Sequence, residues 1–178
     1  MAKVYVFKAS FKSRKSLWRR IEIRDDQTLG DLDDMMRKAF KHDTWDHLSE
    51  FFTDPSCKSG FGEIYPGGGG EGSEIMVRDM GLYEGIKIGY VYDFGAYVQH
   101  ILTLEEIKDA GKNVKYPRIT DKSKTRQRYC DPCNDKGKKS AAVYVCIDCS
   151  EKAGKTVNLC EKCAGEKHKD HYTDEILY

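Results

Sequence analysis

The sequence predicts an α+β protein, with a mainly antiparallel sheet and one principal helix, followed by a small module cross-braced by two zinc ions. Three observations carry this prediction. Alternating apolar side chains, the period of a β-strand, recur through residues 3–104. One segment has clear helical spacing. Six of the seven cysteines fall in the last 49 residues, all as Cys-x-x-Cys pairs.

The N-terminal residues predict a strand–strand–helix start. Residues 5–11 and 17–24 alternate in the manner of strands, and the polar run 12–16 between them indicates a turn. Thr28 and Asp31 form a capping pair for a helix whose apolar residues recur at helical spacing. Ubiquitin-like β-grasp folds share this order of elements, which is an analogy of fold alone.

Further antiparallel strands are predicted after the helix. Residues 47–53 form a candidate third strand, and residues 86–92 form a clear one. A Phe-Gly turn then leads into a returning strand over residues 97–104. The intervening stretch 54–73 is rich in glycine and polar side chains. Its four consecutive glycines, 67–70, lack the Lys-Ser/Thr of a phosphate-binding loop, so we expect a hairpin tip there.

Composition divides the chain into two domains and a linker. Residues 1–110 form the predicted α+β domain, and residues 129–178 form the predicted zinc module. The stretch 111–128 contains Gly111, Pro117 and a basic run, which is typical of a linker. No apolar run reaches the roughly 20 residues of a membrane-spanning helix, and the N-terminus lacks a signal-peptide core. We therefore expect a cytoplasmic protein with no membrane partner.

Eight side chains near the C-terminus have the types and spacing of zinc ligands. Because zinc prefers four tetrahedral sulfur or nitrogen ligands, eight donors make two structural sites. So few apolar residues follow residue 128 that this module should not fold without metal. Free thiols, redox pairs and an iron–sulfur cluster are the alternatives, but a reducing compartment disfavours disulfides and the paired histidines favour zinc. The candidate ligands are Cys130, Cys133, Cys146, Cys149, Cys160, Cys163, His168 and His171.

Spacing alone does not decide which pairs share an ion. Sequential pairing would join the first two cysteine pairs, whereas interleaved pairing would join the first and third pairs and leave the second with the histidines. The segment Cys-x2-Cys-x4-His-x2-His at 160–171, with two cysteine pairs before it, resembles a B-box zinc finger over residues 129–176. The resemblance implies interleaved pairing and a role in protein–protein contacts. It assigns Cys130, Cys133, Cys160 and Cys163 to zinc 1, and Cys146, Cys149, His168 and His171 to zinc 2.

Four short motifs in the first domain occur in an order typical of one family. They are Leu-Trp-Arg-Arg-Ile at 17–21, His-Leu-Ser-Glu-Phe at 47–51, Tyr-Val-Tyr-Asp-Phe-Gly at 90–95 and His-Ile at 100–101. Together they resemble the pRiA-type plasmid ORF-three-like family, some of whose members are labelled passenger TnpR-like proteins of insertion elements. The likeness covers residues 3–118. It implies a fold and a link to mobile elements, but no activity.

A basic hairpin in the first domain is a candidate binding surface. Trp18, Arg19 and Arg20 lie among several lysines and arginines with one acidic neighbour, and such residues can form a phosphate or nucleic-acid site. The alternative is a solvated hairpin in which Trp18 covers one face of the sheet. Cys57 has no partner nearby in sequence and is interpreted as a spare thiol.

A second set of candidates consists of residue types that bind metals or transfer protons. These are His47, Glu50, Asp93 and His100. No short spacing joins them. His100 also shares strand parity with apolar residues, which indicates a semi-buried, hydrogen-bonded histidine.

Three functions remain open from the sequence. The first is a non-enzymatic interaction or adaptor protein whose zinc module contacts a protein partner, since the formal charge is only +1 and no nucleophile–base pair is visible. The second is nucleic-acid binding through the hairpin around Arg19 and Arg20. The third is an enzyme with a cleft built from the second set of candidates, which requires those four side chains to converge. We assign no catalytic residue.

Overall fold

The computed structural model describes residues 2–178, which form two compact units. The first unit extends to Ser123, and the second spans Lys124–Tyr178. None of the helices within the described residues has the length and apolar composition needed to cross a membrane.

Within residues 2–123, a seven-stranded sheet with antiparallel pairing throughout packs with one principal helix, which confirms the predicted fold class. The strands are β1 (Lys3–Phe11), β2 (Trp18–Arg24), β3 (Ser49–Phe52), β4 (Gly60–Ile64), β5 (Lys87–Tyr92), β6 (Val98–Asp109) and β7 (Arg118–Lys122). Helix α1 spans Leu29–Phe40, and a 3-10 turn spans Val77–Met80. The strand order across the sheet is β4-β3-β5-β6-β1-β2-β7.

Helix α1 begins at the capping pair that the sequence predicts. The Thr28 side chain accepts a hydrogen bond from the Asp31 amide, and the Asp31 carboxylate accepts one from the Thr28 amide. The helix ends at Lys41, whose backbone is left-handed with φ 55°. The apolar face of the helix, which includes Leu32 and Met36, is buried in the core of the first unit.

Strand β7 lies inside the predicted linker and extends the first unit beyond residue 110. All five of its residues are exposed, so the sequence has no alternation of apolar side chains that would predict the strand. It is attached to β2 by backbone pairing and by two ion pairs, Arg118 to Glu22 at 2.6 Å and Asp121 to Arg20 at 2.7 Å. Because an edge strand held by charges lacks a hydrophobic pattern, the sequence indicates a linker where the structure has a strand.

Within residues 124–178, a three-stranded antiparallel sheet, in the order β10-β8-β9, carries three short helices. The strands are β8 (Tyr144–Cys146), β9 (Val157–Leu159) and β10 (Thr173–Glu175), and the helices are α2 (Asp131–Asn134), α3 (Ile147–Ala153) and α4 (Glu161–Lys167). The buried apolar side chains of this unit are Cys130, Ala142, Cys146, Leu159 and Ile176. Such a core is too small to stabilise a unit of this length by hydrophobic burial.

Candidate metal centre

The structure gathers the eight candidate ligands into two groups of four. The first group contains Cys130, Cys133, Cys160 and Cys163, and the second contains Cys146, Cys149, His168 and His171. The donor atoms of each group all lie within 4.8 Å of one another. Each group joins two pairs that another pair separates along the chain, so the grouping is interleaved.

The distances within each group suit a tetrahedral ion. The sulfur of Cys133 lies 3.8 Å from that of Cys160 and 3.7 Å from that of Cys163. In the second group, Nδ1 of His171 lies 3.3 Å from the Cys149 sulfur. A tetrahedral zinc with bonds of about 2.3 Å to sulfur places two sulfurs about 3.8 Å apart. These thiol and imidazole sets therefore fit a borderline ion such as zinc better than a hard ion such as magnesium.

Antiparallel pairing explains the interleaved grouping. Strand β8 ends at Cys146, whereas the antiparallel β9 leads into Cys160 at the opposite end of the small sheet. The cysteine pairs that follow these two strands therefore cannot reach one ion. Strand β10 begins opposite Cys146, and this register places His171 beside the second cysteine pair.

Short helices orient the two sulfurs of each cysteine pair. The first cysteine of a pair directly precedes α2, α3 or α4, and the second is the third residue of that helix. One helical turn thus turns both sulfurs to the same side. The amides at a helix start also favour negative charge, which suits thiolate ligands.

One aspartate in each group links the segments that carry its two ligand pairs, and the sequence-based search for ligands overlooked both. The carboxylate of Asp131 accepts a hydrogen bond of 2.6 Å from the Asn158 amide, which links α2 to β9. The carboxylate of Asp148 accepts one of 2.6 Å from the Tyr172 amide, which links α3 to the segment after the histidines. Both aspartates lie inside a Cys-x-x-Cys pair, a position that could have identified them.

The thiols of the first group differ widely in acidity. A hydrogen bond with the Ser140 side chain and bonds with neighbouring thiols lower the pKa of Cys133 to about 7. Burial and the surrounding thiols raise the pKa of Cys163 to about 12. Four adjacent sulfurs therefore resist sharing four negative charges, and a divalent cation would remove this penalty.

The structure does not support the predicted phosphate site at the basic hairpin. Arg19 is 4% exposed, and its Nε donates to the Ala39 carbonyl at 3.2 Å. Arg20 is paired with Glu105 at 2.8 Å and with Asp121. Trp18 lies between charges, with Lys8 Nζ at 4.9 Å and the Arg20 guanidinium at 5.2 Å from its ring. The hairpin thus uses these side chains for internal packing and ion pairing, which favours the alternative of a structural hairpin.

The four candidates for metal binding or proton transfer do not converge. His47 Nδ1 lies 3.6 Å from the Asp93 carboxylate, which is beyond a hydrogen bond. Glu50 accepts a hydrogen bond from the Gly62 amide at 3.0 Å. His100 is 1% exposed and bonds to His42 instead. The proposed enzymatic cleft therefore loses its basis.

The partner of His100 is a second histidine, His42, which directly follows the cap residue of helix α1. The Nε2 atoms of His42 and His100 are 3.1 Å apart, so one ring donates and the other accepts. The rings of Phe11 and Phe40 lie within 5 Å of the His100 ring, and Tyr92 stacks on His42. Burial lowers the pKa of His42 to about 4 and that of His100 to about 3.

We expect the histidine pair to make the first unit sensitive to mild acid. Below pH 6.5 the two histidines become protonated in the unfolded chain but stay neutral in the folded one. The free energy of unfolding is therefore greatest above pH 6.5 and falls as the pH drops towards 4. The loss should be about 3 kcal/mol for one histidine. Urea unfolding followed by tryptophan fluorescence reports on this unit alone, since both tryptophans lie in it. A His100→Phe variant should make the fall between pH 6.5 and 4 shallower, because His42 alone then contributes to it; an unchanged slope would contradict the assignment.

Comparison with known proteins matches the chain to a family model and to solved structures. The family described as Plasmid pRiA4b ORF-3-like protein matches residues 3–136, which includes the first cysteine pair. One of the solved structures is that of MM3350, a protein of unknown function from Methanosarcina mazei Go1. It is 28% identical, covers 68% of this chain and 70% of its own, and superposes with a TM-score of 0.55. No curated protein matches.

Proposed function

The chain belongs to the plasmid pRiA4b ORF-3-like family, and from that premise we propose that it is a non-enzymatic, zinc-binding interaction protein whose C-terminal unit contacts a protein partner. The observation that carries this proposal is the pair of four-ligand groups. Each group supplies a full tetrahedral set from the chain itself, which suits a structural ion rather than a hydrolytic one with an open position.

The interleaved geometry supports a B-box-like description of the second unit. In such a cross-braced unit the ions replace a hydrophobic core, so the surface is free to serve contacts. From residue 121 onward the chain has 12 lysines and arginines and 10 aspartates and glutamates. A four-cysteine zinc site adds about two negative charges, so the loaded unit is nearly neutral. This neutrality favours a protein partner over nucleic acid.

Tyr172 is the residue we assign to the contact. Its side chain is 72% exposed, directly after the ligand His171. Its backbone is held on both sides, because its amide donates to Asp148 and its carbonyl accepts from the Ile147 amide at 2.9 Å. An exposed tyrosine on a fixed backbone has little entropy to lose on binding, which is typical of interface anchors.

The proposal includes a cellular compartment and a link to mobile elements. Six cysteines that serve as ligands require a reducing compartment, so we place the protein in the cytoplasm. The plasmid reading frame in the family description supports a link to mobile elements.

Capture of partners from the native cell, followed by binding assays with the purified partner, tests the proposal. We expect Tyr172→Ala to weaken binding about tenfold or more, and a chelator to abolish it. Moderate salt should change the affinity little, since the contact is nearly neutral. Tyr83→Ala, which removes a tyrosine 65% exposed in the first unit, is the matched control and should have no effect. A partner that binds equally well after chelation would refute the proposal.

A further inference from the structure

Trp45 has the greatest exposure of the large hydrophobic side chains in the described part of the chain, at 91%. It lies in the loop of residues 41–48 between α1 and β3. Exposing a whole indole to water forgoes the favourable burial of a large apolar surface. Single exposed apolar side chains are common on protein surfaces, so a role in binding depends on what lies beside this one.

Hydrogen bonds from a buried arginine hold the backbone of the loop that carries Trp45. The buried Arg37 donates to the carbonyls of Asp43 at 2.9 Å, Asp46 at 3.0 Å and His47 at 3.0 Å. The Tyr92 hydroxyl also donates to the Asp43 carbonyl, at 3.4 Å. Because the loop is ordered before any partner arrives, binding costs little conformational entropy.

Carboxylates lie on the loop that carries the exposed indole and on the adjoining turn. Oδ1 of Asp43 accepts a hydrogen bond from the Trp45 amide. Oδ1 of Asp46 accepts one from the His47 amide. Asp93, on the adjoining turn, uses Oδ1 for the Gly95 amide at 2.9 Å. Asp43 and Asp46 are exposed, and Asp93 is half-buried. The Trp45 loop and the adjoining turn therefore present negative charge that is oriented by backbone hydrogen bonds.

The turn after β5 extends this surface. The Asp93 amide donates to the Leu48 carbonyl at 2.9 Å, so the turn of residues 93–97 lies beside the Trp45 loop. Phe94 and Tyr97 on this turn are exposed. Aromatic rings and carboxylates therefore share one end of the seven-stranded sheet.

We propose that this end of the sheet binds a segment of a partner protein that carries lysine or arginine side chains. A guanidinium or ammonium group over the Trp45 ring gains a cation–π interaction, and the three aspartates compensate its charge. Nucleic acid does not fit, because the same carboxylates repel phosphates. This site lies in the first unit and does not depend on the zinc-centred function proposed above.

Selection of random displayed peptides on the full, zinc-loaded chain tests this inference, with the best synthetic peptide as the probe. We expect the selected peptides to be rich in lysine and arginine, and Trp45→Ala to weaken their binding at least about tenfold. Asp46→Asn with Asp93→Asn keeps the Oδ1 acceptors but removes two charges, so it should weaken binding several-fold and reduce its salt dependence. Tyr172→Ala should bind the peptide normally, which separates this result from that of the zinc unit.

Four outcomes would overturn the inference. They are selected peptides without basic enrichment, unchanged binding by Trp45→Ala, a single-stranded oligonucleotide that binds through Trp45, and self-association that Trp45→Ala abolishes. Because the Trp45 side chain is exposed, its loss should leave the fold intact, and Trp18 fluorescence during urea unfolding checks this.

Discussion

Removal of the metal is expected to unfold residues 124–178 while the first unit stays folded. Zinc binding contributes on the order of 10 kcal/mol to such modules, and only Ala142, Leu159 and Ile176 join two ligand cysteines in the buried core. No hydrophobic stabilisation of that size remains once the ions leave. Elemental analysis should find two zinc ions per chain before chelation. Amide chemical-shift dispersion should then collapse for this unit after treatment with a chelator.

Single cysteine variants refine the test. Cys133→Ser removes one ligand of the first group and should reduce the zinc content to about one ion, with local unfolding around α2. Cys57→Ser is the matched control, because Cys57 lies in the first unit beside Gln99 and belongs to neither group. Dispersed amide signals in the chelated chain, or disulfide bonds among these sulfurs, would contradict the account.

The predictable part of the fold is the part that hydrophobic periodicity determines. The pattern of α1 and its capping pair is local, so Thr28 and Asp31 could be recognised without any tertiary information. Strand β4 could not be recognised, because its sequence contains Gly60 and Gly62 in a stretch that resembles a loop. The Glu50 carboxylate lies where a Cβ at Gly60 would be, so a side chain there would displace it from its hydrogen bond with the Gly62 amide.

The same division applies to the candidate sites. Ligand types and spacing are visible along the chain, whereas the grouping depends on the register of β8, β9 and β10. The parity of Arg19 was a usable signal, because it matches that of Ile21 and Ile23 and so placed the side chain on the buried face. The approach of His42 to His100 joins positions 58 residues apart, which no local pattern reveals.

A buried ion pair beneath the Trp45 loop should make Asp33 one of the most sensitive positions in the first unit. Arg37 is 0% exposed, and its Nε donates to Asp33 at 2.7 Å. Burial alone would lower the pKa of Arg37, but the Asp33 carboxylate outweighs that effect and the pKa is raised. Asp33 also accepts from the Ser49 and Tyr90 hydroxyls, each at 2.6 Å. One carboxylate therefore compensates a buried cation and satisfies two buried donors.

Asp33→Ala is expected to reduce the free energy of unfolding of the first unit by about 3–5 kcal/mol, because it leaves the Arg37 guanidinium buried without a counter-charge. Asp33→Asn should lose less, since an amide oxygen can still accept from a hydroxyl. Asp34→Ala, at the exposed neighbouring position on α1, is the control and should change stability by less than about 0.5 kcal/mol. Urea unfolding followed by tryptophan fluorescence measures all three. If Asp33→Ala were as stable as Asp34→Ala, the pair would not be the element that fixes the loop of residues 41–48.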